Sequence, residues 1–481
     1  MAIFFTSGEK KKRAGIYQRY ENVGTPPVAG ANDGVVAAVV RSSWGVLGKV
    51  QQFESYEAVK EFFGPVGAED TYSYLEDVFN GGAKLVHVVR MGQDGSKGEL
   101  MIMDNEGMEA EPKNLIKVST KYNSTRQFKV TIQDALGDPA KKELILYENN
   151  VVLEKIEFPA GSDHTNEVEE FLEIANQKSA YLDFEKVDGA EGTKLGCLSE
   201  AEIIGGANPV VTNEDYSKAF SLLEIFTWNA LVLDTYEMQT QMLAYNYMKR
   251  IYKDGRMGFL VLGEPTTVPF ETRISHAKSF NDYQVVYVGS GYVLSTDEKI
   301  DGVRAAARVA GMLAGFPSNQ SLTHKVVNGA VDTIEKLTNY QYEQAIENGM
   351  VTFSVSSKGL VWVEAGITTL VTPTGEDDEG WKKIKRTKVR FELMQRVSDT
   401  VETLIGQINN DSDGRATVMQ AVRGVLNAMV VETKILPGAT IELDAGNPPV
   451  GDSAWFVIAA DDIDALEKMY FTYRFRYAAI D

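Results

Sequence analysis

Between residues 219 and 310 the chain repeats one unit, a short apolar run followed by a turn and an amphipathic helix. Ala219, Phe220, Leu222, Leu223 and Phe226 fit one helical face, and residues 229–234 follow as an apolar run. Met238, Met242, Tyr245 and Met248 recur at helical spacing before the second run at 258–263. A third run at 284–289 precedes the helix opened by residues 304–310. Runs that are apolar throughout and alternate with helices predict a parallel sheet buried on both faces. No other short pattern in the chain restricts the fold as much.

The same pattern begins earlier. Residues 35–40 form an apolar run, helix-like segments at 56–63 and 72–79 stop at Gly64-Pro65 and Asn80-Gly81-Gly82, and a second run at 84–89 ends at Arg90. From Gly92 to about Gly206 the pattern changes to short alternating strands at 116–120, 127–132 and 143–147, with one helix at 167–176. This predicts a small, mainly β domain inserted into the α/β one. Later, residues 351–355 and 360–364 flank Ser356-Ser357-Lys358-Gly359, a hairpin signal. A basic run at 382–390 leads into a helix through Met394, Val397, Val401, Leu404 and Ile408; another helix follows Gly414, and residues 455–459 read as a strand.

Both ends read as arms. Residues 1–20 lack a helical period and are set off by Pro26-Pro27 and nearby glycines; fully extended, such an arm reaches ~65 Å, although on composition alone a frayed terminus is the commoner outcome. Residues 469–477 place aromatic residues at odd positions and mostly polar ones at even positions, the period of a strand with one buried face. With no room for a hairpin after it, that strand must pair with something earlier in the chain, for which residues 455–459 are the expected companion, or with a strand from another chain. The expected fold class is α/β multidomain: a parallel α/β core, an inserted small β domain, an α+β C-terminal domain and extended terminal arms. The expected boundaries are 1–20, 21–91, 92–206, 207–335, 336–468 and 469–481.

Several function classes drop out. A net charge of −20 argues against nucleic-acid binding, since nothing basic enough to displace counterions dominates. One cysteine, Cys197, excludes an intramolecular disulfide framework, so a reducing cytoplasm is expected. No apolar run approaches the ~20 residues that cross a bilayer.

The best case for an enzyme is a doubly wound hydrolase with Asp234, Glu264 and Ser290 along the edge where open α/β sheets hold ligands. Gly289-Ser290-Gly291 lacks the spacing of a nucleophile elbow, and none of the four histidines sits in a recognisable catalytic motif. His87, inside an apolar run, reads as a core histidine. Residues 45–50 are two short of a phosphate loop and have Val where Ser or Thr should stand. Asn409, Asp411, Asp413, Gly414 and Gln420 occupy positions of a calcium loop, but Gln420 replaces its bidentate glutamate and Asn409 its first aspartate. The plainer reading is a polar turn in which Asp413 caps the next helix. A carbohydrate-binding role for the β insertion lacks clustered aromatics. No cofactor or metal is expected. Lys382, Lys383, Lys385, Arg386 and Lys388 read either as a solvated strand face or as a contact for an acidic partner or a second copy, which like-charged chains need to offset their repulsion.

In order and spacing, the parts resemble the tail sheath proteins of contractile phage tails and R-type bacteriocin particles. Arg13-Ala14-Gly15-Ile16-Tyr17 is similar to the family's Arg-Pro-Gly-Ile-Tyr arm motif, with Ala14 in place of proline. Residues 39–45 resemble its strand and Trp-Gly turn. Residues 79–84 through Val88-Val89-Arg90 resemble its Phe-x-Asn-Gly-Gly and Val-Arg element. Residues 121–131 with Gly205-Gly206 resemble its insertion and exit, Ala310-Gly311 the segment before its C-terminal domain, and residues 464–477 its terminal strand. The resemblance covers nearly the whole chain. It implies a structural, non-catalytic subunit of a six-fold helical sleeve that surrounds a tail tube and contracts to drive it through an envelope. The partners implied are further copies of the chain, a tube protein, and baseplate and terminator proteins, in a virion or tail-like particle assembled in host cytoplasm. It assigns intersubunit linkage by strand addition to Arg13, Gly15, Ile16, Tyr17, Phe471, Tyr473, Phe475 and Tyr477, a tube-facing side to the C-terminal domain, and a non-catalytic, subtilisin-like character to the α/β core.

Overall fold

The computed structural model describes residues 33–104, 113–160, 167–189, 194–375 and 377–477, together with the backbone of 3–4 and 17–18. It divides into a larger unit, residues 32–388 with 464–481, and a smaller one, residues 1–31 with 389–463.

The larger unit is built on a seven-stranded sheet. In spatial order its strands are Met350–Val351, Val285–Val288, Phe259–Gly263, Ala230–Val232, Val35–Val40, Leu85–Arg90 and Val50–Phe53. All neighbours pair in parallel except the last, which runs antiparallel to Leu85–Arg90. Every residue of Ala230–Val232, Phe259–Gly263 and Val285–Val288 is buried, as their continuous apolarity requires, and each large aliphatic side chain so buried contributes ~1.5–3 kcal/mol. The helix Tyr56–Phe63 has the bounds that its stop at Gly64-Pro65 predicts. Ser55 caps Tyr56–Phe63 and Gly64 ends it at φ +79°, while Thr212 and Asp215 form a capping box for Asn213–Leu223.

Two features differ from the sequence expectation. Met350–Val351 joins the parallel sheet instead of the hairpin, which is Phe353–Val355 with Val361–Val363. Residues 336–388 accordingly stay with the larger unit, although a C-terminal domain was expected from 336. A two-residue edge strand is too short to show a period of its own.

Residues 99–202 carry two antiparallel sheets, ordered Val151–Pro159, Lys141–Glu148, Phe128–Asp134, Leu198–Glu202 and Leu182–Lys186, Asn114–Thr120, Glu99–Met103, with the helix Glu167–Lys178. Ile116, Val118, Phe128, Val130, Leu146, Phe158 and Phe171 share their core with Trp44, which comes from the α/β layer. Single bridges Gln93 to Val210, Ser96 to Ala207 and Glu99 to Ile204 hold entry and exit side by side. Two side chains fasten the insertion. Arg126 lies 4.8 Å from the Trp44 ring and pairs with Glu148 at 2.5 Å. Arg90, buried, donates to the carbonyls of Ser42, Gly45 and Asn123, and burial pushes its guanidinium down to about 10.

In the smaller unit, the helix Ser412–Val431 packs with Val389, Ile435 and Ile441 around Val422, Val425, Leu426 and Met429. An antiparallel pair, Thr440–Leu443 with Phe456–Ala459, adjoins it. The cap of Ser412–Val431 is Asp411, whose Oδ1 accepts from Gly414 N at 2.8 Å, and not Asp413 as the turn's spacing suggested. A buried network joins Arg396 to Glu392 and Glu432, and Lys434 to both acids.

Candidate functional site

The polar groups at the carboxyl ends of the central strands are committed to structure. The Asp234 side chain takes the Arg41 guanidinium at 2.7 Å, the Tyr216 hydroxyl at 2.6 Å and the Thr71 hydroxyl at 3.0 Å. Burial, with Asp234 alongside, holds the Tyr216 phenol well above its ordinary value, so it remains a donor. Glu264 is bonded by the Tyr287 hydroxyl at 2.7 Å and lies 3.1 Å from His276 Nδ1. Ser290 Oγ accepts from the amide of Phe353 at 2.9 Å, tying the hairpin to the sheet end. All three are buried. Carboxylates and a hydroxyl with their lone pairs occupied by fixed donors are poorly placed to take a proton from a substrate. His87 is buried against Phe226, with ring centroids 4.8 Å apart, and burial lowers its pKa.

The basic run is largely used within the chain. Lys388 is buried and its ammonium donates to the carbonyls of Leu313, Ala314 and Phe316 while pairing with Asp33 at 3.1 Å. It thereby satisfies orphan carbonyls at the end of the helix Gly302–Gly315, where the helix dipole favours a cation. Lys385 is also buried. Lys382 pairs with Glu379, and Lys383 with Asp464 and Glu467. Arg386 is half-buried. Burial takes Lys385 and Lys388 off the surface, which corrects their reading as contacts for a partner: positive charge on a helix was legible, but not that its first turns are packed inside.

The C-terminal segment is the opposite case. Phe471, Tyr473, Phe475 and Tyr477 are 73%, 76%, 94% and 97% exposed, and residues 464–477 belong to no strand or helix. Phe456–Ala459, the expected local companion, pairs with Thr440–Leu443, Ile458 opposite Ile441. Tyr473 and Phe475 stack with centroids 6.4 Å apart and planes 14° from parallel. Single exposed aromatics are ordinary, whereas these lie together on one segment. At the other end, Arg13, Gly15 and Ile16 lie outside the described residues. Tyr17 is described in backbone only, in the strand Tyr17–Gln18, which pairs in parallel with Ile3–Phe4.

The smaller unit has exposed apolar surface of its own. Leu443, Trp455 and Val457 are exposed on or beside its strand pair. A cavity of about 360 Å³ opens among Val397, Val401, Val418, Ile441, Phe456 and Ile458. Each strand of the pair has one hydrogen-bonded neighbour among the described residues, leaving two edges of the kind to which a further strand adds.

Comparison with known proteins finds several that are similar to this chain. Residues 210–369 match the model of the phage tail sheath protein central domain. The phage-like element PBSX protein XkdK of Bacillus subtilis strain 168 is 25% identical over 97% of this chain and 98% of its own length. The crystal structure of a sheath tail protein from Desulfitobacterium hafniense superposes with a TM-score of 0.68 at 21% identity, covering 93% of this chain and all of that one. The helical sheath of the anti-feeding prophage in its contracted state has a TM-score of 0.52 at 10% identity, over 97% of this chain and 99% of that one.

Proposed function

From its similarity to contractile tail sheath proteins, we infer that this chain is a structural subunit that polymerises as a six-fold helical sleeve around a tail tube and contracts to drive the tube through a target envelope. It works in a phage or phage-like particle assembled in host cytoplasm, and its other partners are baseplate and terminator proteins. The role is structural and not catalytic; in its support, Asp234, Glu264 and Ser290 are each spent on internal partners.

The observation that carries the linkage is the exposed aromatic segment 469–477, strand-like in sequence and without a ladder in the single chain. Its natural complement is a sheet edge in a second copy, and the pair Thr440–Leu443 with Phe456–Ala459 supplies one beside exposed Leu443, Trp455 and Val457. Main-chain hydrogen bonds across such an edge give affinity, while alternate aromatics give register. The N-terminal segment, with Arg13, Gly15, Ile16 and Tyr17, is the second link. Strand links hold connectivity while rigid bodies turn past one another, so contraction need not break the mesh.

The test is truncation. A chain ending at Lys468 is expected to remain folded by circular dichroism and to run as a monomer. The full chain should form tubes in negative stain and the truncated one should not; tubes from the truncated chain would sink the linkage.

A further inference from the structure

We propose that Lys383 is a positioning residue for assembly, the centre of a clasp that fixes where the C-terminal arm leaves the larger unit. The inference rests on the strand-linkage reading above and adds the device that aims the strand. Lys383 Nζ lies 2.7 Å from Asp464 Oδ2 and 2.9 Å from Glu467 Oε2. The other Glu467 oxygen accepts from the Ser321 hydroxyl at 3.0 Å and the Thr323 hydroxyl at 2.9 Å. Thr323 is itself held, its Oγ1 accepting from Gly366 N at 2.9 Å. Lys383 is held too: Ile367 bridges to it, and its amide donates to the Gly380 carbonyl. Burial pulls the Lys383 ammonium down, but Asp464 and Glu467 outweigh burial and keep it above its ordinary value.

The arrangement changes abruptly along the chain. Residues 464 and 467 are tied to three separate points of a rigid framework, and two residues later the aromatic run begins with no such contact. A tether anchored at its root and free beyond it presents the strand from one place on the surface. It therefore spends less orienting entropy when it meets the neighbouring edge, and its effective concentration there is higher. Side chains in the clasp are only partly exposed, at 30% for Lys383 and 20% for Glu467, so salt screens the contact less than a fully solvated pair. The contact joins segments some eighty residues apart and contains no apolar core, which is what a local fastening needs and a folding nucleus does not.

The experiment uses the full chain with Lys383→Met, the doubly neutral Asp464→Asn/Glu467→Gln, and Lys383→Arg. Circular dichroism and melting are expected to match the parent. Trypsin cleavage after Lys468, scored by mass spectrometry on unassembled subunit, should quicken several-fold in the first two, because the root is no longer held. The concentration at which tubes first form should rise ~10-fold in both, while Lys383→Arg should restore both readouts. Parent-like trypsin rates and tube thresholds in Lys383→Met and the double variant would overturn the clasp. If those variants behave as parent while the chain ending at Lys468 fails to polymerise, strand linkage stands and the clasp alone falls. If the chain ending at Lys468 polymerises, linkage falls and the clasp with it.

Discussion

Gly311 lies against Gly81 with no room for a side chain on either. A Cβ placed on Gly311 falls 2.0 Å from the Val78 carbonyl oxygen and 3.0 Å from the Gly81 Cα, and one on Gly81 falls 2.4 Å from the Arg308 carbonyl oxygen. Two short motifs far apart in sequence, Asn80-Gly81-Gly82 and Ala310-Gly311, are thus the two sides of one helix contact. Gly311→Ala is expected to cost about 1–3 kcal/mol through overpacking against backbone, which cannot rotate away as a side chain can. The midpoint of urea unfolding should fall accordingly; an unchanged midpoint would show that the helices separate without penalty.

Asp234 invites a catalytic reading and serves a structural one. Its carboxylate gathers Arg41, Thr71 and Tyr216 at the sheet end. Asp234→Ala should destabilise by about 1–3 kcal/mol, since the Tyr216 hydroxyl is left buried without an acceptor. Pairing the change with Tyr216→Phe should recover part of that loss, because the stranded donor is removed as well. A double variant no more stable than the single one in thermal melts would argue against the account.

How much was legible depended on whether a signal was local. The parallel runs, the bounds of the helix Tyr56–Phe63 and the short alternating strands after Gly92 follow from periods and punctuation a few residues long, and the structure carries corresponding elements. The destinations of charged side chains did not show. Lys385 and Lys388 read as surface because a run of charge usually is, whereas Lys388 closes the end of a helix seventy residues earlier. Lys383 was picked out as a contact, but its partners Asp464 and Glu467 lie too far along the chain for spacing to reveal them. Short edge strands such as Met350–Val351 carry no period and are defined only by pairing.

His87 gives the larger unit a defined acid sensitivity. Burial lowers its pKa from the ordinary 6.5, so the unfolded chain takes up this proton first as pH falls. The linkage sign is then fixed: stability from a neutral His87 is fully present above pH 6.5 and declines as the pH drops below it. His87→Leu should flatten the change in melting temperature between pH 7 and pH 5 relative to the parent. An unaltered slope would mean that His87 titrates alike in both states.

The turn at 409–414 separates a cap from a metal loop. Asp411 accepts from Gly414 N, and a Cβ on Gly414 would fall 1.9 Å from the Asn409 carbonyl oxygen. Asp411→Ala should therefore cost ~1 kcal/mol, the usual loss of an N-cap, and Asp413→Ala only a few tenths. Millimolar calcium should shift neither melt; a calcium-dependent rise abolished by Asp413→Ala would reverse the assignment.

The aromatic segment supplies the last prediction, at the level of single amides. Backbone N–H groups of residues 469–477 have no ladder partner among the described residues, so they should exchange with deuterium near the rate of an unstructured peptide. In a sheet edge of a neighbouring copy, alternate amides become hydrogen-bonded and the others face away. Exchange mass spectrometry on free subunit and on tubes should therefore show slow and fast amides alternating through 469–477 in tubes alone. The amides of Thr440–Leu443 or Phe456–Ala459 that point to the open edge should slow with them. Uniformly fast exchange across 469–477 in well-formed tubes would mean that the segment stays solvated there and that the copies are joined by other surfaces.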